Sequence, residues 1–398
     1  MSIKLAIVAN HPIQYFVPWY RELAQLPELE VKVFYCCDWG VEEYVDPQFG
    51  VAVKWDIPLL EGYTHEFLPL PRRPQKLGFW EIDNPTAGAS LARFAPDVVK
   101  IYGYARRTNW RVAAWAKRHR KLLLMMSDSN AMARTQAWKR AAKELIVRHF
   151  YRKIDAALYI SRNNYNYHTH FGLPPERLLH TVFPIDRTRL LAQTPDRAAA
   201  RAAVRARHNI PPDAFVAISC GKYVAHKRPL DLVIAGHTAA RQGHQVWTLL
   251  VGEGAQRQQL EEFVRSHDVK NCTLTGFINQ SDISDYYAAA DVLVLPSSIE
   301  AYSLVVSEGS SFGLPVIISD QVGCVGPQDT ARPGVNALVF PCGDIVRLTN
   351  ALIELYQNRA VYAKMARASE EISATQDVRA AALTLAAAVA RLQELGPR

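Results

Sequence analysis

Asp291-Val-Leu-Val-Leu-Pro-Ser-Ser-Ile-Glu300-Ala-Tyr-Ser-Leu-Val-Val-Ser-Glu308-Gly-Ser-Ser-Phe-Gly313-Leu-Pro-Val-Ile-Ile-Ser319 is the stretch that decides the fold. Its first apolar run, residues 292–296, is too short for a helix and reads as a buried strand. Small residues lead to Glu300, a helix begins around Ser303, and a second buried run follows at 315–319. Strand, helix, strand without a hairpin turn is the crossover of a parallel sheet. Working outward, the same rhythm recurs. Strands are expected at 3–9, 31–36, 98–102, 122–126, 156–160, 215–220, 246–251, 271–275 and 337–340. Amphipathic helical stretches lie between them, one of them opening near Pro18. The rhythm breaks across residues 186–212, which are rich in Arg and Ala and end near Pro211-Pro212. The expected architecture is therefore α/β: two Rossmann-like, doubly wound domains facing across a cleft. The expected division is 1–187, 188–375 and a C-terminal helix over 376–398 that packs back on the first domain.

The chain has 398 residues and a formal net charge of +8, but that charge is unevenly placed. Residues 1–99 carry 8 basic and 13 acidic side chains, residues 100–153 carry 15 and 2, and the remainder balance at 23 each. An anionic partner is thus expected to meet one patch, not a generally basic surface. With 49% hydrophobic residues the composition excludes a disordered or collagen-like chain. Cys36, Cys37, Cys220, Cys272, Cys324 and Cys342 show no CxxC spacing, and the N-terminus runs straight into a strand without a signal-peptide h-region. These features give the expectation of a cytoplasmic protein with reduced, buried thiols.

Open parallel sheets bind ligands at the carboxyl ends of their strands. The amides of Ala301, Tyr302, Ser303, Leu304 and Val305 are candidate first-turn donors to an anion. Glu300 and Glu308 flank them and suit paired hydroxyls, as sugars and ribose offer. A second segment, Gly221-Lys222-Tyr-Val-Ala-His226-Lys227-Arg228, places cationic groups at a strand's carboxyl end, which suits a pyrophosphate.

Taken together and in order, these residues resemble a family 4 retaining glycosyltransferase of the GT-B fold. The resemblance rests on Gly221-Lys222 with Lys227, Glu300 with Glu308, Gly313-Leu-Pro-Val316, Pro333-Gly-Val-Asn-Ala-Leu338, Val251-Gly-Glu-Gly254 and Gly276-Phe277-Ile278. It implies that Lys222 and Lys227 hold the diphosphate of a nucleotide-sugar, that Glu308 takes the ribose hydroxyls, and that Glu300 contacts the donor sugar. The backbone of Gly276, Phe277 and Ile278 would lie beside the base. No nucleophilic carboxylate is evident, so the implied reaction is front-face transfer with retention, and Glu300, Lys227 and Asp128 are the catalytic candidates. The chain lacks Asp-x-Asp, so neither a metal nor a cofactor is expected. The donor is the substrate. Rival readings are a GT-B-fold nucleotide-sugar epimerase or phosphorylase, and a non-catalytic protein that binds anionic surfaces.

The sequence departs from the family at three points. Asn10-His11-Pro12-Ile13-Gln14-Tyr15 replaces a glycine-rich loop, leaving His11 and Gln14 as acceptor-side candidates. Asp128 stands near a usual histidine, and Lys222 replaces an arginine. Gly252-Glu-Gly254 reads as an ordinary strand–helix turn, and His168 and His170 as part of a wet helix face. In residues 134–153, Trp138, Ala141, Ala142, Leu145, Ile146 and His149 form an apolar stripe beside seven Lys/Arg. The expected partners are a nucleotide-diphosphate sugar, a glycan or lipid-linked acceptor, and an anionic membrane surface meeting 100–153 at the inner face of the cell membrane. No nucleic-acid motif accompanies the basic stretch, so nucleic acid is not an expected partner.

Overall fold

A computed structural model describes residues 2–45, 52–72, 74–129 and 137–398. The chain forms two compact units. One comprises Met1–Glu42, Pro58–Ile185 and Asp377–Arg398, the other Glu43–Ile57 and Asp186–Gln376. The main breaks fall after Ile185 and after Gln376. The assignment of Glu43–Ile57 differs from expectation, because this segment joins the second unit. Asn279 donates to the Lys54 carbonyl at 2.8 Å, and the Ser281 amide donates to Asp56 at 3.1 Å. Neither contact leaves a sequence pattern.

In the first unit, β1 (Ile3–Ala9), β2 (Leu29–Tyr35), β5 (His65–Phe67), β6 (Val98–Tyr102), β7 (Leu122–Met126), β8 (Ala156–Tyr159) and β9 (Leu178–His180) form a parallel sheet ordered β5-β2-β1-β6-β7-β8-β9. The short strands β3 (Tyr44–Val45) and β4 (Ala52–Val53) pair antiparallel and belong to the second unit. Leu5, Ile7, Val99, Ile101, Leu123 and Met125 are fully buried between helical layers. This double burial explains why the strands read as unbroken apolar runs. The three-residue strands β5 and β9 have no such run and escape the sequence reading. The helix Val378–Leu395 closes this unit, capped by Asp377, with Thr384 bonded to Thr181 at 3.1 Å.

In the second unit, β10 (Phe215–Cys220), β11 (Val246–Val251), β12 (Cys272–Leu274), β13 (Val292–Leu295), β14 (Val316–Ser319) and β15 (Ala337–Phe340) are likewise parallel, ordered β12-β11-β10-β13-β14-β15. The irregular stretch before it contains two helices, Arg187–Gln193 and Arg197–Arg207, capped by Asp186 and Asp196. Asp291 sits at the start of β13 and accepts from Arg205 at 2.9 Å, Arg201 at 2.8 Å and the Val216 amide at 2.7 Å. It thereby ties β10 to β13. In each sheet the strand order reverses at one point, between β1 and β6 and between β10 and β13. Ligands of open α/β sheets bind at such switch points.

Candidate active site

The loops after β10 and β13 converge at the second sheet's switch point. Ser219, Gly221, Lys222, Lys227, Pro296 and Ser297 line a small pocket there. The Lys227 ammonium lies 2.5 Å from the Glu300 carboxylate, so two of the expected catalytic residues meet directly. Ser298 donates its amide to the His226 carbonyl at 2.7 Å, locking one loop to the other. Glu300 itself is held by backbone bonds to Gln321 and Gly323.

Glu308, on the helix Leu304–Ser311, is only 2% exposed and accepts from the Tyr287 hydroxyl at 2.6 Å. A buried carboxylate needs such a donor. Tyr287 was not singled out from the sequence, since an inward-facing tyrosine on a short helix resembles any core aromatic. Burial pushes the Cys220 thiol up, and the charge of Glu308 adds to this, leaving an inert small hydrophobe at the end of β10.

The helix starts at Leu304, which leaves the amides of Leu304 and Val305 without intrahelical carbonyls. The Ser303 amide is instead directed at the Cys324 sulfur. The Tyr302 ring is buried and its hydroxyl joins Thr330 at 2.7 Å, so only its backbone can serve a ligand here.

Gly252-Glu-Gly254 is more than an ordinary turn. A Cβ on Gly252 would meet the Gly221 carbonyl at 1.9 Å, and one on Gly254 would meet the Tyr223 backbone at 2.7 Å. These glycines let the end of β11 brace the Gly221–Lys222 loop from beneath. Gly276, with φ +81°, is bonded to Gly252 through its carbonyl at 3.0 Å, which places Phe277 and Ile278 beside the same brace.

The remaining candidates belong to the first unit. His11 follows β1, and burial pushes it down to about 4, with the Arg106 charge adding, so it is a neutral imidazole at pH 7. Gln14 is half-buried on the same loop. Asp128 follows β7 and accepts from the Tyr102 hydroxyl, whose own pKa is raised chiefly by burial. Among the described residues no cluster of three His, Cys, Asp or Glu could hold a metal ion.

Two expectations need correction. His168 is fully buried and bonded to Tyr151 at 2.9 Å, so it is a satisfied core histidine, while exposed His170 pairs with Glu144 at 2.9 Å. The helix Ala137–Tyr151 buries Val147, Phe150 and Tyr151, while the described members of the predicted stripe, Ala141, Leu145, Ile146 and His149, are exposed. Leu145 and Ile146 are 72% and 57% exposed, because the larger aromatic face wins the core. Arg134 and the side chains of Trp138, Lys139, Arg140 and Ala142 lie outside the described residues.

Comparison with solved structures identifies the architecture. Anabaena HepE, solved in complex with UDP, matches with a TM-score of 0.74 at 15% identity, covering 98% of this chain and 100% of that one. Sucrose-phosphate synthase from Thermosynechococcus elongatus matches with a TM-score of 0.73 at 22% identity, over 98% and 99%. The fold is GT-B. Within that GT-B chain, residues 200–372 match the family described as glycosyl transferases group 1. The lipopolysaccharide core biosynthesis glycosyltransferase LpsD of Rhizobium meliloti is 29% identical over 173 residues, which is 43% of this chain and 48% of that protein. The sulfoquinovosyl transferase SQD2 of Arabidopsis thaliana is 30% identical over 133 residues, 33% of this chain and 25% of that protein. The chain spans about half the length of the first two curated relatives it matches. The matched region contains the whole second-sheet site and none of the first.

Proposed function

We propose that this chain is a retaining, metal-independent family 4 glycosyltransferase. It moves a sugar from a nucleotide-diphosphate donor to a hydroxyl of a glycan or lipid-linked acceptor in bacterial polysaccharide or lipopolysaccharide assembly. The observation that carries the reading is the meeting of the Lys222–Lys227 loop with Glu300 at a sheet switch point, just ahead of a helix that carries buried Glu308 in its second turn. Positive side chains and helix amides there match a diphosphate, and a carboxylate held by Tyr287 matches paired ribose hydroxyls. The UDP in the HepE structure and the named role of LpsD support a nucleotide-sugar donor and an envelope product.

In the proposed reaction the bond between sugar C1 and the phosphate oxygen breaks as the acceptor oxygen attacks from the same face. The departing phosphate takes the acceptor's proton. Lys222 and Lys227 stabilise the charge growing on the leaving group, and Glu300 orients the sugar. On donor binding, the diphosphate competes with Glu300 for Lys227. Asp128 is assigned to orienting the donor sugar or the acceptor hydroxyl, and Gln14 to the acceptor side.

Among the described residues no helix is long and apolar enough to cross a membrane. Exposed Leu145 and Ile146 with neighbouring Lys143 and Arg152 support docking to an anionic lipid surface.

A thermal-shift panel of UDP, GDP, ADP, dTDP and their sugars tests the donor, followed by NMR of the product anomer with any hit. Stabilisation by one nucleotide, its loss in Glu308→Ala, and a product of unchanged anomeric configuration are expected. No stabilisation by any of them overturns the reading.

A further inference from the structure

The first sheet has its own switch point, and the residues there are not explained by the donor site. His11 follows β1, Cys36 and Cys37 follow β2, and Arg106 lies four residues beyond the end of β6. The strands β2, β1 and β6 are neighbours, so these loops lie side by side, close enough for the Arg106 charge to act on His11, Cys36 and Cys37.

The surrounding backbone is rigidly built. Fully buried Asn84 donates to the carbonyls of Cys36 at 3.0 Å and Leu68 at 3.1 Å, and it accepts from Thr108 at 2.7 Å. Asn109 donates to the carbonyls of Tyr102 and Gly103 at 2.8 and 3.0 Å. The Cys37 amide donates to the Asn10 carbonyl at 3.1 Å, so the loops that present His11 and Arg106 are both tied to this frame, as a binding site requires.

Four polar atoms in this region are buried without a partner: the possible donors His11 Nδ1, Arg106 Nε and the Oγ of Ser127, a residue only 1% exposed, and the acceptor Asn109 Oδ1. Buried polar atoms are nearly always satisfied, so orphans at a sheet switch point mark a place for a ligand. Among the described residues Arg106 has no carboxylate within ion-pair distance, and its one hydrogen bond is to the neighbouring Ala105 carbonyl. Of the acids nearby, Glu81 pairs with Lys76 at 3.4 Å and acts on Arg106 only at longer range, Asp128 takes the Tyr102 hydroxyl, and Asp38, beside Cys37, is exposed. A half-buried guanidinium with no carboxylate in ion-pair contact among the described residues matches a planar or tetrahedral oxyanion, which it can grip through two parallel hydrogen bonds. An open cavity beside it, lined by Cys37, Asp38, Phe67, Leu70 and Arg72, shares Cys37 with the cluster and offers room for the rest of a larger molecule, with Asp38 placed to take its hydroxyls.

We propose that Arg106, with His11 and Ser127, binds an oxyanion on the acceptor, the carboxylate of an acidic sugar or the phosphate of a phosphorylated one. Calling the ligand an acceptor rests on the glycosyltransferase reading; the anion site does not. A neutral glycan lacks the group that Arg106 is placed to hold, so the enzyme selects acidic acceptors.

The test uses the full chain, with and without saturating nucleotide from the panel above. Binding of glucose, glucuronate and glucose 6-phosphate is measured for the wild type, Arg106→Gln, Arg106→Lys and His11→Gln. Loading the donor site first removes competition from Lys222 and Lys227. The wild type is expected to bind one of the two acids at least about tenfold more tightly than glucose. Arg106→Gln should abolish the preference, and Arg106→Lys should restore part of it by keeping the charge without the fork. Whether the carboxylate or the phosphate gains identifies the acceptor's acid group. Equal binding of all three sugars by the wild type overturns the proposal. So does a loss of nucleotide affinity in Arg106→Gln that matches its loss of acid binding, since the anion would then be the donor's diphosphate. An acid preference that depends on Arg106 in a chain that binds no nucleotide keeps the anion site and removes the transferase reading.

Discussion

Lys100 offers a test of how the first unit balances its core. It lies in the middle of β6, is only 2% exposed, and its ammonium sits 4.8 Å above the Trp19 ring. Among the described residues no carboxylate pairs with it. Burial pushes its pKa from 10.5 down to about 7. At about 1.36 kcal/mol per pKa unit, holding the charged form costs the folded state up to about 5 kcal/mol, less whatever the ring face returns. The sign follows from the depressed folded value. Between about pH 7 and 10.5 the unfolded chain binds more protons, so stability rises with pH across that window. Below pH 7 the full cost is present. Lys100→Met keeps the volume and removes the charge. Urea unfolding followed by tryptophan emission reports mainly on this unit, which holds Trp19, Trp39, Trp80, Trp110 and Trp115. The variant should be more stable than wild type by roughly 2–5 kcal/mol near pH 6.5, with the gap closing towards pH 10. A gap that does not change with pH, or a less stable variant, refutes the reasoning.

Other expectations concern the second unit and the basic helix. Gly252→Ala forces a Cβ to within 1.9 Å of the Gly221 carbonyl at φ +150°, so it should destabilise the second unit by several kcal/mol and abolish nucleotide-induced thermal shifts. Gly243→Ala, at φ +89° with open space around its Cβ, should leave those shifts intact and serves as the control. Asp291→Asn leaves buried Arg205 unpaired and should cost about 3–5 kcal/mol in denaturant unfolding, more than removing an exposed pair such as Lys270–Asp268. Leu145→Ser with Ile146→Ser should reduce flotation with anionic vesicles and leave nucleotide binding unchanged. Equal flotation of variant and wild type assigns those side chains to plain surface.

The sequence is most legible where burial on both faces leaves a continuous apolar run. The strands 3–9, 98–102, 122–126, 215–220, 246–251 and 337–340 lie where the pattern places them. The edge strands β5 and β9 are short and mixed, and residues 43–57 join the second unit through isolated hydrogen bonds that no periodicity announces. Motif spacing brought out Lys227, Glu300 and Glu308, because loops at strand ends carry distinctive residue types. Tyr287 and Arg106 escaped for opposite reasons. Tyr287 looks like core, and Arg106 is one cation among fifteen in residues 100–153. Only the strand order, which puts the β6 loop opposite the β1 loop, separates it from solvated neighbours. The basic helix was legible in extent, but over residues 143–151 two apolar stripes compete, and Val147, Phe150 and Tyr151 take the core in place of Leu145 and Ile146.

The helix Val378–Leu395 completes the first unit although it follows the main body of the second unit in the chain. A ribosome moving from the N-terminus therefore delivers every strand of the second unit before the first can close. Until then Leu385, Val389 and Leu392, all fully buried in the finished protein, have not arrived to cover their partners. The nascent first sheet must wait, its apolar face accessible to chaperones, while a segment that starts later matures ahead of it. Premature termination near Gln376 would leave a second unit able to form beside a first unit that lacks its closing helix.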